Sequence, residues 1–261
     1  MAQIKVGLAL GSGGARGFAH IGVLKAFEEH GVPVHAVSGS SMGSMVAAFY
    51  ATGMKPKYME QLACSLRPRY WMDLTVPRLG LIQGDRVYQM VALLTRGLRV
   101  DEADLPLAIV AAELLTRRRV VFRAGKIADA VRASISVPGV FVPFVREDGV
   151  YVDGGVVDPV PVEAVRQLGV DVVVAVDVGN QRTAPPETML DVIMQSLDMM
   201  ASRSWRGQAQ AADVTITPAL ERIGPSHFHK AEAAVAAGYE AAVAALPAVW
   251  SCLERAARAS S

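Results

Sequence analysis

Val34-His-Ala-Val-Ser-Gly-Ser-Ser-Met-Gly-Ser-Met-Val-Ala-Ala-Phe-Tyr-Ala-Thr-Gly53 is the stretch on which the fold turns. Val34 to Val37 is a short apolar run that reads as a buried strand. Gly39-Ser40-Ser41-Met42-Gly43 follows at once, and then Met45, Val46, Phe49 and Tyr50 recur at helical spacing. Strand, sharp turn and helix form the context in which G-x-S-x-G becomes a nucleophile elbow. The flanking glycines relieve crowding in a tight turn. Ser41 at its centre is expected in a strained backbone, with its hydroxyl at a helix N-terminus that favours negative charge. A plain Gly/Ser turn before an ordinary helix is the competing reading.

Upstream, Lys5 to Leu10 reads as a first strand, and Gly11-Ser12-Gly13-Gly14-Ala15-Arg16-Gly17 separates it from a helix carrying Phe18, Ile21, Leu24 and Phe27. A glycine-rich turn between strand and helix points several N–H groups at one spot, which makes an anion site. A dinucleotide fingerprint would need a glycine where Arg16 stands and an acidic residue closing the second strand. That strand closes on Ser38-Gly39 instead, and no Gly-Lys-Ser/Thr marks a phosphate loop. The remaining role is an oxyanion hole made by the Gly13 and Gly14 amides with help from Arg16, facing the carbonyl that Ser41 attacks.

Composition bounds the class. In 261 residues, 52% are hydrophobic and 20% charged, a globular balance, and the formal net charge is +1. So even a charge excludes a general nucleic-acid binder. The two cysteines, Cys64 and Cys252, have no metal or redox spacing and fit a reducing cytoplasm. Val6 to Leu10 is too short for a signal-peptide core, and no uninterrupted apolar run approaches the ~20 residues of a membrane span. A soluble, cytoplasmic protein with peripheral membrane contact is expected.

Met54 to Val100 differs from the rest. It holds eight basic residues (Lys55, Lys57, Arg67, Arg69, Arg78, Arg86, Arg96, Arg99) against three acids (Glu60, Asp73, Asp85), interleaved with tyrosine, Trp71 and methionine. Two helices, 56–66 and 84–97, joined by an irregular segment around Pro68 and Pro77, suggest a cap meeting lipid or anionic substrate. A solvated helical cap with arginines on its outer face would look the same. Further on, Pro106–Ala112, Val120–Arg123, Val150–Val152, Val170–Val176 and Val214–Thr217 read as strands. Lys126–Ser134, Met189–Trp205 and His229–Ala245 read as helices, the last ended by Pro247. The 138–143 stretch reads as an apolar, proline-punctuated pocket wall. Alternating strands and helices without repeats or a long linker make one doubly wound α/β domain, residues 1–261, with a cap insertion at 54–100.

Ser41 needs a base. His227 and His229 come late in the chain, as the histidine of an α/β-hydrolase triad does, but here the elbow follows only the second strand. Asp153 ends a strand and precedes Gly154-Gly155, so a Ser41–Asp153 pair fits better than a triad.

Together, the glycine loop, Gly-Ser-Ser-Met-Gly and Asp153-Gly-Gly155 resemble the motifs of the patatin-like phospholipases, in particular small bacterial members similar to the catalytic domain of neuropathy-target-esterase-type lysophospholipases. The similarity runs from about residue 5 to about residue 240, and Ala133 to Pro143 fits the loop ahead of the catalytic aspartate. The resemblance implies a three-layer α/β/α fold with a mostly parallel central sheet and a helical cap. It also implies a Ser41–Asp153 dyad, an oxyanion loop at Gly13, Gly14 and Arg16, and hydrolysis of lipid acyl esters without metal or organic cofactor. Plant patatins open the loop with Asp-Gly-Gly-Gly, whereas this chain has Gly11-Ser12-Gly13-Gly14.

Overall fold

Val6-Gly-Leu-Ala-Leu10 and Val172-Val-Val-Ala-Val176 are buried at every position, the pattern of strands covered on both faces. In the computed structural model, which describes residues 4–76, 78–179, 185–208 and 211–259, they pair side by side at the middle of the sheet. Pro77 of the expected cap lies outside the described residues, as do the side chains of Pro68 and Arg69.

The strands in chain order are β1 (Val6–Leu10), β2 (Ala36–Ser40), β3 (Leu107–Glu113), β4 (Arg118–Phe122), β5 (Phe144–Arg146), β6 (Gly149–Val152), β7 (Val172–Val176) and β8 (Val214–Ile216). They form one mixed sheet in the order β5-β6-β3-β2-β1-β7-β8, with β4 also on β3. Pairing is parallel from β8 to β3, in a register that sets Leu8 beside Val37 and Val174. It is antiparallel where β4 and β6 join β3 and where β5 joins β6. The doubly wound expectation therefore holds for the parallel part, and the far end is a meander. β5 was not expected, because Phe144-Val145-Arg146 is only half-covered and shows no buried run.

Helices flank both faces. They are α1 (Ala19–Glu29), α2 (Met42–Ala51), α3 (Pro56–Ser65), α4 (Pro68–Trp71), α5 (Asp85–Leu94), α6 (Ile127–Ser134), α7 (Val162–Arg166), α8 (Met189–Gln208) and α9 (Ala231–Ala259). Leu8, Leu10, Val37 and Ile109 face a core built with α1, α2, α6 and α9, while Ala9, Val173 and Ala175 face Val162 and Val165 of α7. α1 and α9 meet at glycines: a Cβ on Gly22 would lie 1.9 Å from the Val235 carbonyl oxygen, and one on Gly238 1.9 Å from that of Ala19.

α9 also corrects an expectation. It runs through Pro247 to Ala259 instead of ending there. Pro247 removes one helical donor, but Val249 and Cys252 beyond it are buried and hold the last turns in place. By length and composition the stretch Phe228–Ala259 is long and apolar enough to cross a membrane, longer than any run foreseen. Much of that apolarity is alanine, and its inner face is buried on α1.

Segment 54–100 contains α3, α4 and α5. Asp73 in the connection accepts the N–H groups of Gly84, Asp85 and Arg86 at 2.8, 2.8 and 3.1 Å, capping α5 from a distance. Ile82 bridges both Leu74 and Phe141, so the segment is stitched to the 138–143 loop. Beneath the join lies Arg132, buried, which donates to Ser136 Oγ at 2.5 Å and to the carbonyls of Gln83 and Val142 at 2.6 and 2.8 Å. Several expected cap cations are occupied: Lys55 pairs with Glu28, Arg96 with Asp104 and Arg99 with Asp101.

Candidate active site

Ser41 sits between the end of β2 and the first residue of α2 with φ 53° and ψ −126°. A non-glycine residue there carries strain on the order of 1–3 kcal/mol and persists only where its surroundings enforce it. Two glycines make the turn possible. A Cβ on Gly39 would fall 2.3 Å from the Gly43 carbonyl oxygen, and one on Gly43 2.1 Å from that of Leu10. The Ser41 N–H donates to Ser134 Oγ at 2.9 Å, and Ser44 Oγ–H donates to the Ser41 carbonyl at 2.6 Å.

Asp153 follows β6 and is 2% exposed. Its Oδ2 accepts the Ser41 hydroxyl at 2.5 Å, and its Oδ1 accepts the Gly155 N–H at 2.7 Å. Its own N–H donates to the Ser136 carbonyl, so the C-terminal end of α6 touches both residues of the pair. Burial pushes the carboxyl from 3.8 up to about 7; the hydrogen bonds from Ser41 and Gly155 oppose the rise, and the negative charge of Asp198 adds to it.

The glycine loop leads into a tight 3-10 turn, Gly14–Phe18, before α1 begins. Four N–H groups in it are paired: Gly11 with the Val176 carbonyl, Ser12 with that of Pro159, Ala15 with that of Pro225, and Arg16 with that of Gly13. Among the described residues the N–H groups of Gly13 and Gly14 make no such bond. Gly14, with φ +58°, lines the same cavity as Ser41, and Gly13 stands one residue behind it.

Arg16 does not lie open to that cavity. Fully buried, it supports the loop from within: Nε donates to the Gly13 carbonyl at 3.3 Å, and its guanidinium pairs with Asp198 of α8. Nη1 has no protein partner. Cutting a buried pair leaves an uncompensated charge, typically at a cost of about 3–5 kcal/mol. Asp198→Ala is therefore expected to lower stability by that order in chemical denaturation, with the denaturant slope unchanged. A loss within about 0.5 kcal/mol, the surface norm, would show that Asp198 is not Arg16's effective counter-charge.

The histidines make bonds or contacts other than one to the pair. His20 Nε2 bonds the Gly11 carbonyl at 2.7 Å, and burial lowers its pKa to about 4, which keeps it neutral and makes Nε2–H a donor to the glycine loop. His227 Nδ1 accepts the Gly224 N–H at 3.1 Å. His229 lines the cavity wall. Among the described residues none of them hydrogen-bonds Ser41, and no three His, Cys, Asp or Glu side chains converge as a metal site would require. Sequence reading missed Ser134, Ser136 and Asp198. The first two lie in the run ahead of Asp153, where a signal existed. Asp198 is one acid within an amphipathic helix and had none.

In front of Ser41 opens a cavity of about 670 Å³, walled by Met42, Met45, Trp71, Met90, Phe141 and Phe228 among other apolar residues. It presents the Ser41 hydroxyl at one point and mostly apolar walls around it, a lining that suits a long apolar chain.

A family model described as patatin-like phospholipase matches residues 8–166. An uncharacterized NTE family protein of Mycobacterium tuberculosis is 34% identical over 184 residues, covering 69% of this chain and 51% of that protein. The lysophospholipase NTE1 of Pyricularia oryzae is 33% identical over 196 residues, covering 72% of this chain and 13% of that one. The chain thus spans about half the length of its mycobacterial relative and far less of the fungal one. In fold it is similar to VipD from Legionella pneumophila, with a TM-score of 0.67 at 16% identity over 97% of this chain and 67% of that one. With elbow, glycine loop and strand-end aspartate in place, a family model over most of the chain and relatives above 30% identity, the chain belongs to the patatin-like phospholipase family.

Proposed function

We propose that the chain is a serine acyl hydrolase that cleaves carboxylic acyl esters of lipids or phospholipids through an acyl-enzyme. Ser41 is its nucleophile and Asp153 its base. The observation that carries this reading is the 2.5 Å bond from Ser41 Oγ to Asp153 Oδ2 at the strained elbow. The family, and the lysophospholipase name of the fungal relative, point the same way.

In the first half-reaction Asp153 takes the Ser41 proton as Oγ bonds the ester carbonyl carbon, and negative charge passes to the carbonyl oxygen. The free N–H groups of Gly13 and Gly14 are the donors for that oxyanion, and Arg16 holds the loop in position from behind. Collapse of the intermediate breaks the C–O bond of the leaving alcohol or lysolipid, which takes the proton from Asp153. Water then donates a proton to Asp153 while its oxygen attacks the acyl-enzyme, and the proton returns to Ser41 as the fatty acid leaves. An aspartate near its ordinary pKa is a weak base at neutral pH; burial moves Asp153 close to the value general-base catalysis favours. No cofactor enters these steps. On the same reading the protein is cytoplasmic, a single domain whose 54–100 segment caps the site and touches lipid peripherally.

Acyl-ester hydrolysis by wild type, Ser41→Ala and Asp153→Asn, each confirmed folded by circular dichroism, tests the reading. Turnover by folded Ser41→Ala at the wild-type rate would end it. The glycine loop gives a second test. Valine at Gly13 or Gly14 is expected to lower kcat by roughly 10² to 10³, the usual cost of a lost oxyanion donor, with KM little changed. If kcat holds instead, the oxyanion donors lie elsewhere.

A further inference from the structure

Large apolar side chains left open to water are few and scattered on most folded surfaces, and a cluster of them marks a binding face. Among the described residues fifteen such side chains are exposed, and eight of them fall in two short segments: Tyr70, Leu74, Val76 and Leu79, and Met189, Val192, Met199 and Met200. The second group shares one side of α8, within an arc of about 100° at the helical angle per residue. Leu190, Ile193, Met194 and Leu197 on the inner side pack against the core. α8 thus carries apolar residues both inward and outward, which an ordinary surface helix does not.

The two segments are neighbours across the cavity. Both line it, through Leu74 and through Met189. Between them runs the 138–143 loop, with Ile82 bridged to Phe141 on one side and the Ile193 side chain 3.5 Å from where a Cβ on Gly139 would stand on the other. Leu74 and Met189 are thus cavity-lining residues that are also exposed, and the other exposed apolar residues continue from them along the 70–79 segment and α8. Two exposed arginines belong to the same rim: Arg67 on the cavity wall and Arg78 between Val76 and Leu79.

We propose that this rim, Tyr70, Leu74, Val76 and Leu79 together with Met189, Val192, Met199 and Met200 of α8, is a docking surface for a lipid bilayer. The inference rests on the lipid-ester reading above. A protein seated on this face would close the entrance. A bilayer seated there would let an acyl chain pass from the membrane into the cavity without crossing water, with lipid phosphates meeting Arg67 and Arg78. Val76, Leu79, Val192, Met199 and Met200 do not line the cavity, so their contribution is to docking alone.

The experiment is flotation with vesicles of phosphatidylcholine and phosphatidylglycerol. A variant with Val76→Ser, Leu79→Ser, Val192→Ser, Met199→Ser and Met200→Ser is compared with wild type. Its vesicle partition is expected to fall at least about tenfold, since interfacial binding scales with buried apolar area. Its thermal midpoint and its hydrolysis of a short, soluble ester should match wild type. Leu93→Ser with Leu115→Ser, equally exposed but on α5 and in the β3–β4 turn, should float as wild type does. Wild type that fails to float, a five-site variant that floats unchanged, or an equal loss in the control pair overturns the proposal. So does sedimentation showing a wild-type dimer that the variant makes monomeric, because the face would then belong to a second copy. Ser41→Ala should float like wild type. If wild type floats yet cleaves no ester, the catalytic reading fails and the docking surface stands.

Discussion

Ser41→Ala is expected to remove ester hydrolysis by a factor on the order of 10⁴ or more, as loss of a catalytic serine does in other acyl hydrolases. It is also expected to abolish labelling by a fluorophosphonate. Ser40→Ala and Ser44→Ala should still label. Among the described residues only Ser41 combines the positive φ of the elbow with a hydroxyl bonded to a carboxylate. Ser40 lies inside the sheet, where its Oγ has no partner and sits 2.5 Å from where a Cβ on Gly154 would stand, so no substrate reaches it. The Ser44 hydroxyl is turned back onto the Ser41 carbonyl and braces the turn. Labelling that persists in Ser41→Ala, with the label mapped to Ser40 or Ser44 by mass spectrometry, would move the nucleophile and with it the whole mechanism.

The elbow could be found from sequence because its causes are local. A buried strand, two glycines that only a tight turn explains and a helix with regular apolar spacing all lie within about twenty residues, and each constrains the next. Asp153 was legible for a similar reason, a strand end followed by Gly154-Gly155. What escaped depends on pairing and packing that the local residue pattern does not show. β5 becomes a strand only because β6 pairs with it, α7 is a single short helix against the sheet, and α9 continues past Pro247 because Val249 and Cys252 are buried. Arg16 illustrates the limit most clearly. Its loop announced an anion site, but the partner of its charge is Asp198, 182 positions away, and no local pattern links the two. The cap showed the same limit, because composition counted eight cations but could not show that Lys55, Arg96 and Arg99 are already paired.

Asp153 should reveal itself twice, once in rate and once in stability, with opposite signs. As the base it must be ionised, so kcat/KM is expected to fall about tenfold per pH unit below roughly pH 7, the value to which burial raises the group. Asp153→Asn should lose activity by several orders of magnitude. Its Oδ1 can still accept the Gly155 N–H, but an amide nitrogen then faces Ser41 and donates to the hydroxyl instead of taking its proton. The stability effect follows from linkage. A carboxyl near 3.8 unfolded and about 7 folded holds its proton more tightly in the native state. Its contribution to stability is thus full below about pH 3.8, declines as pH rises, and is gone above about 7. At pH 8 the ionised, buried carboxylate therefore costs wild type on the order of 4 kcal/mol relative to its protonated form. Asparagine never ionises, so Asp153→Asn should be more stable than wild type at pH 8 by up to that order, and the advantage should shrink toward pH 4. Thermal unfolding of both proteins across that range measures it. A variant that is inactive and also less stable at pH 8 would mean that Asp153 is held by its hydrogen bonds as a structural anion. The reading of Asp153 as a destabilised group kept for its chemistry would then have no basis.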